Sequence, residues 1–421
     1  MSKSSNMETA ILIAVLCAVI LPVHFVVSQD SEHSFYAANE FAVNFYCKLA
    51  TVHNETENLL FSPLTTYTAL GMLKAGSKTT TALQLENALN WQRFVDGYGT
   101  NNGDEAIKHL LTEVFAPLQP NNTLSVANKL WLQEYFCTVR CNDYIKRIEK
   151  NFNAGMEELN FVTHPEKSRQ EINKWVAEKT NQKFQDLLPK ESVDVYTRLV
   201  LTSAVHFKNL WKYSFDKKNT TMQDFTKYIG DRSQKVKVPM MHQQGVFRSY
   251  RSVVKSPYEV LDIPIVAELS MVIIMPKTND LFRRMQKDLR FVDVDQMLQE
   301  LYVFPPSVME IYLPRFRISD KFDLKDSLKN MLGIKYLFSS QNADLSGITG
   351  YRGLFVTHAV HEAAIDVDEE GAQPASSDFD GVGPAKSVRS YFRVNKPFIF
   401  LIRHKPTHTI LFMGCVMDPL A

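Results

Sequence analysis

The stretch DVDEEGAQPASSDFDGVGPAKSVRSYFRVNKPFIFLIRHKPTHTILFMGCVMDP, Asp366 to Pro419, sets two kinds of sequence side by side. Its last part, FIFLIRHKPTHTILFMGCVM, carries two apolar runs around a Lys-Pro-Thr turn and predicts a hairpin of strands. The residues just before and into it, LFVTHAVHEAAIDV, predict a buried strand from their Val and Ile content. Between the two lie about 25 small, polar and charged residues, and a connection of that length inside a compact domain is functional or disordered.

Working outward, the chain has 421 residues, 45% hydrophobic and 22% charged, enough apolar sequence to bury a large core. Length alone would allow two or three domains. The 18 prolines and 16 glycines are spread thinly, however, and no linker, repeat or low-complexity tract offers a place to cut. The reading is one large domain behind an N-terminal extension. With 47 basic against 46 acidic residues and a formal net charge of +1, the chain lacks the electrostatic footprint of a nucleic-acid binder. Lys146, Arg147 and Lys150 lie on a predicted helix whose other side carries Ile145, Ile148 and Phe152, which is the pattern of a solvated helix face rather than a polyanion site.

The extension, AILIAVLCAVILPVHFVV (Ala10 to Val27), is an apolar run preceded by Lys3. Pro22 and His24 interrupt it and leave it short for a membrane span. With Val26 and Ser28 before a cut near Gln29, residues 1–28 are expected to be a cleaved signal peptide, leaving 29–421 as the mature domain, secreted and free of the membrane. Sequons at Asn54, Asn121 and Asn219 agree with an extracellular route. Cys17 leaves with the signal. Of the remaining Cys47, Cys137, Cys141 and Cys415, Cys137 and Cys141 are spaced to bridge within one turn, and free or buried thiols are the equal alternative. No second pair has metal-ligand spacing.

The first half reads as helix-rich. Phe35, Ala38, Phe41, Ala42, Phe45 and Leu49 recur at helical spacing. NLLFSPLTTYTALGMLKAGS predicts a short strand and then a helix, with Ser62 at the N-cap, Pro63 at the first position and Gly76 just past the end. LSVANKLWLQ reads as a strand with Leu124, Val126, Leu130 and Leu132 on one face. EINKWVAEKTNQKFQDLLP reads as a helix that runs to Pro189. From Leu199 strands dominate (LVLTSAVHF, VKVPMM, VLDIPI, LSMVIIMP, MEIYLPRFRI), interrupted by the helix DLKDSLKNMLG that ends at Gly333. Helices early and strands late predict the α+β class with large antiparallel or mixed sheets.

No nucleophile elbow, Walker loop or H-E-x-x-H pattern occurs. His358 and His361 would share a helix face, but on a strand they point to opposite faces and make no ligand pair. The chain is not expected to be an enzyme, and no cofactor or metal is implied.

Taken in order, NLLFSPLTTYTALGMLKAGS, TNQKFQDLLP, LTSAVHFKNLWKYSF, VKVPMM, YLPRFRI, DVDEEG and NKPFIFLIRHKPTHTILFMGCVMDP resemble the serpin family from about Phe35 to Pro419. The resemblance implies a single domain with three β-sheets and about nine helices, and it identifies the stretch at about 369–394 as a reactive-centre loop. It also implies the mechanism: a protease cuts the loop, and the loop's N-terminal part inserts as a strand into the large sheet, dragging the acyl-linked enzyme with it. About 15 residues rising roughly 3.3 Å each would carry the cut end about 50 Å. Ser62, Thr65 and His361 match the polar cluster that lets the sheet open, and Trp211 matches the tryptophan where the loop first enters. Ser203 departs from the Asn usual at its position, so the opening equilibrium is expected to differ.

Within the loop, Gly371 fits the glycine that starts the hinge after Glu369 and Glu370. Counting forward from it puts the scissile bond at Ala385-Lys386, whereas counting back from Asn395 puts it at Lys386-Ser387. The second is preferred, because a basic residue before a small one suits the acidic pocket of a trypsin-like protease. Arg389-Ser390 is a further basic site. Ala372 is small enough to slip into a sheet. Pro374 donates no hydrogen bond, and on an inserted strand Ala372, Pro374, Ser376, Asp378 and Asp380 would share one face. Three functions therefore stand: a secreted, monomeric inhibitor of a trypsin-like serine protease, a non-inhibitory serpin (carrier, storage or chaperone-like) whose loop is cut without inserting, or an inhibitor of a cysteine protease through the same loop.

Overall fold

The computed structural model describes residues 29–421 apart from 55, 122–123, 209, 230–231, 252–256, 304 and 374–389. After α1 (Gln29–Val52) and β1 (Leu59–Phe61) come α2 (Pro63–Gly76), α3 (Thr79–Leu89), α4 (Trp91–Gly97) and α5 (Gly103–Phe115). Next, β2 (Leu124–Gln133), α6 (Val139–Phe152), β3 (Gly155–Leu159) and α7 (Pro165–Lys179) lead to β4 (Leu199–Lys208) and β5 (Trp211–Tyr213). β6 (Thr221–Ile229), β7 (Arg232–Arg251), β8 (Tyr258–Pro264) and β9 (Leu269–Pro276) precede α8 (Asn279–Asp288) and α9 (Phe291–Val303). There follow β10 (Ser307–Pro314), β11 (Phe316–Asp323), α10 (Leu324–Met331), α11 (Ser346–Thr349), β12 (His358–Val367) and β13 (Gly371–Gln373). β14 (Tyr391–Arg393), β15 (Phe398–His404) and β16 (Ile410–Val416) close the chain.

The strands form three sheets among the described residues, as the fold class required. One has five strands in the order β11-β12-β4-β2-β3, one has nine with β16, β15, β9 and β8 at its centre, and β13 pairs with β5 alone. In the five-stranded sheet β12 runs parallel to β4, from His358 opposite Val200 to Asp366 opposite Lys208. β4 is buried on both faces over most of its length, which explains why it reads as a near-continuous apolar run rather than an alternating one. Its inner face rests on the main core. The outer face of β4 and β12 is covered by α7 and the turn after it, with Ile172, Val176 and Phe184 clustered with Val200, Ala204, Val360 and Ala364.

Local signals explain most boundaries. Ser62 caps α2 by accepting from the Thr65 amide, with Pro63 next in line. Gly76, however, is the last residue inside α2 and not beyond it. A Cβ there would strike the Ile348 side chain at 2.3 Å, so the glycine serves the close approach of α11. MEIYLPRFRI is two strands, β10 and β11, because Pro314 ends the first. The helix expected to run to Pro189 stops at Lys179. There Thr180 turns its hydroxyl back to the Val176 carbonyl at 2.7 Å. Asn181 and Gln182 then take φ of +51° and +63°, left-handed values that reverse the chain. On α6, Ile148 and Phe152 are buried as expected. Arg147 is not part of a merely solvated face: it pairs with the buried Asp104 carboxylate and donates to the Ala75 carbonyl at 2.9 Å.

Candidate functional site

The site is built on the seam between β12 and β4 and on the chain that leaves its end. Beneath the middle of the seam, His361 faces inward with no exposure. The Ser62 amide donates to its Nε2 at 3.1 Å, and its Nδ1 meets the Ser203 hydroxyl at 3.1 Å. Because Nε2 must accept, the imidazole is neutral with its proton on Nδ1. Burial pushes its pKa down to about 3, in keeping with that state. The Ser62 hydroxyl donates to the Leu411 carbonyl at 2.7 Å, and the Asn128 amide donates to the Thr65 carbonyl at 3.3 Å. Ser62, Thr65, Ser203 and His361 are thus brought together, tying α2, β4, β12 and β16. His358, three residues away from His361, points to the opposite face.

Trp211 lies at the other focus, at the head of the seam. It is fully buried against Phe215 at 5.5 Å between ring centres. Its indole donates to the Asp368 carbonyl at 2.7 Å, and its backbone amide donates to the Glu370 carbonyl at 3.0 Å. The hinge then runs parallel to β5, Gly371 opposite Trp211 and Gln373 opposite Tyr213. A Cβ on Gly371 would sit 2.4 Å from the Ser214 amide nitrogen; close backbone approach, not a left-handed turn, requires glycine here.

Two acidic residues hold the hinge. Glu369 is almost fully buried, accepting from Arg315 at 2.5 Å and from the Thr220 hydroxyl at 2.7 Å. Burial alone would raise its pKa; Arg315 and Thr220 outweigh burial and hold the carboxyl below its usual range. Glu370 is exposed and pairs with Lys208 at 2.7 Å, which lowers its pKa. Ala372 is exposed. Past the loop, the Ser390 carbonyl accepts from the Glu310 amide at 3.1 Å, anchoring β14 on β10.

Pro374, Ala385, Lys386, Ser387 and Arg389 lie outside the described residues, as does the expected signal segment 1–28. Asn54 and Asn219 are exposed, and Asn121 ends a 3-10 turn. Cys137 and Cys141 are both free thiols. They are close enough to hydrogen-bond, and burial first, then Cys141, pushes the Cys137 thiol up to about 12.

Sequence reasoning missed Asn128, Arg315, Thr220 and the charged group around Asp366. Asn128 was visible as an amide in the middle of a largely apolar strand. The others need the register of strands far apart in the chain.

The family profile described as Serpin (serine protease inhibitor) matches residues 36–419. Antithrombin-III of Mus musculus is 33% identical over 393 residues, covering 91% of this chain and 81% of its own length. A protein named serine protease inhibitor from Cyanea capillata is 31% identical, covering 91% of this chain and 98% of its own. Among solved structures, uncleaved ovalbumin superposes with a TM-score of 0.79 at 27% identity, over 92% of this chain and all of its own.

Proposed function

Starting from the fact that the chain belongs to the serpin family, we propose that it is a secreted inhibitor of a trypsin-like serine protease. The protease attacks at Lys386-Ser387 and is trapped when the cut loop enters the sheet between β12 and β4. The observation that carries this reading is the state of the seam. β12 and β4 pair directly over its whole length, while Gly371–Gln373 lies outside it on β5. A strand entering there, antiparallel to both neighbours, exchanges one parallel ladder for two antiparallel ones. Antiparallel pairing is the more stable per residue, so the exchange runs downhill once the loop is cut free. Lys386 supplies the basic side chain that an acidic specificity pocket takes. Residues 1–28 act as the signal peptide, and the exposed sequons Asn54 and Asn219 are the expected glycan sites.

The test is a denaturing gel after incubation with trypsin. The wild-type chain gives a band that survives denaturation at the summed mass. Lys386→Glu abolishes it, and Arg389→Glu keeps most of it. Equal loss from both variants overturns Lys386 as the bait, and clean cleavage of the wild type without the band overturns inhibition.

A second reading, a carrier, storage or chaperone-like serpin whose loop is cut without inserting, is favoured by Pro374, Asp378 and Asp380. A proline donates no ladder bond, and carboxylates facing a buried surface each cost several kcal/mol when unpaired.

A further inference from the structure

The turn that ends α7 does more than reverse the chain. Held by the Gln182 amide to the Ala177 carbonyl at 2.7 Å and the Lys183 amide to the Thr180 carbonyl at 3.0 Å, it lies flat on the outer face of the five-stranded sheet. Asn181 donates to the Ser125 hydroxyl on β2 at 3.0 Å. Lys183 reaches both oxygens of Asp366 on β12, at 2.9 and 3.1 Å. Between these anchors His206, on β4 directly opposite Ser125, meets the Asp366 carboxylate through Nε2 at 2.8 Å. Arg317 on β11 approaches the same carboxylate at 3.5 Å. Farther along, Lys321 on β11 donates to the Asp186 carbonyl at 3.0 Å. One segment therefore touches β2, β12 and β11, and one carboxylate gathers contacts from β4, β11 and the segment itself.

We propose that Lys183, His206 and Asp366 form a polar strap across the β12–β4 seam that sets how readily the seam parts. The proposal rests on the reading of that seam as the entry site for the cut loop. A strand entering between β4 and β12 moves His206 away from Asp366 by one strand spacing, about 4.8 Å. It also pulls Lys183 from Asp366 while Asn181 stays on β2, so both charge-assisted contacts must break before the new ladders form. His206, Lys183 and Asp366 are positioning residues in this account: none touches the protease.

The test compares Lys183→Met, Asp366→Asn, their combination and Lys183→Arg. Hydrogen exchange of the backbone amides in β12 and β4 is expected to quicken about three- to tenfold in Lys183→Met and in Asp366→Asn. The double variant should exceed the larger single only slightly, because both remove the same contact, and Lys183→Arg should restore wild-type exchange. Amides shared by β2 and β3 serve as the control and should not change. With trypsin, the same variants should shift the ratio of trapped to merely cleaved product towards trapping. Additive effects, or unchanged seam exchange with correctly folded variants, would overturn the strap. If the wild type traps no protease the inhibitor reading fails, yet the exchange measurement still judges the strap, so the two failures are distinguishable.

Discussion

Ser203 and Asn128 stand directly opposite each other on β4 and β2, both buried. The Asn128 side-chain oxygen has no donor among the described residues, while its amide is committed to the Thr65 carbonyl. An unmet acceptor in such a place is costly. Opposite side chains on an antiparallel pair are about 5 Å apart at Cβ, within reach of one amide but long for a hydroxyl already engaged with His361. The residue usual at this position in the resembling sequences, Asn, would carry the missing donor. Ser203→Asn is therefore expected to stabilise the uncut protein by about 1 kcal/mol, a rise of roughly 2 °C in melting temperature. Because the new bond joins β4 to β2, on one side of the β12–β4 seam, it is kept when the seam parts, and the rate of loop entry should change little. Differential scanning calorimetry on the uncut variant checks the first part; a lower melting temperature would mean the cavity has no room for the larger side chain.

At the scale of the element, β12 presents two different chemistries on its two faces. Its inner face carries neutral His361, while its outer face carries Glu362 opposite Lys321 of β11. Burial raises the Glu362 pKa to about 7; Lys321 opposes the shift and Asp186 adds to it. The folded value lies above the ordinary 4.5. The stabilising contribution of the protonated group is therefore complete below about 4.5 and is lost as pH rises through about 7. His358, His361 and His404 are shifted the other way by burial, so their contributions fade on acidification and obscure the Glu362 effect in the wild type alone. They cancel in a difference. Glu362→Gln, which mimics the protonated acid, should differ little from wild type near pH 4.5 and melt progressively higher than it as pH rises to 8. A difference independent of pH would show that Glu362 is solvated and titrates normally. β12 itself was legible in its Val and Ile run, but the charge pattern of its outer face was not, because that face is defined by Lys321 and by a turn whose left-handed Asn181 and Gln182 interrupt an otherwise helical pattern.

Across the whole molecule, what sequence conveyed well was the set of contiguous blocks. The paired runs of β15 and β16, the Ser-Pro start of α2 and the Glu369-Glu370-Gly371 hinge each need only their own neighbours to be read. Contacts such as His206 with Asp366, separated by 160 positions, appear only once parallel register is known. The question still decided at this scale is whether closing the sheet around β12 and β4 leaves the molecule short of its most stable state. If the uncut chain is metastable, a nick in the loop lets a strand join between β12 and β4, and the five-stranded sheet gains one ladder net. Thermal unfolding before and after a limited tryptic nick should then show a rise of tens of degrees, since two ladders of some ten bonds each replace one. If Pro374 and the carboxylates of Asp378 and Asp380 keep the strand out, the nicked wild type melts where the uncut protein does. In that case Pro374→Ala combined with Asp378→Ala should restore the rise, because the first returns a backbone donor and the second removes a charge from the entering face. No rise in either protein would mean the closed sheet is already the stable end state, and inhibition by insertion would be ruled out for this chain.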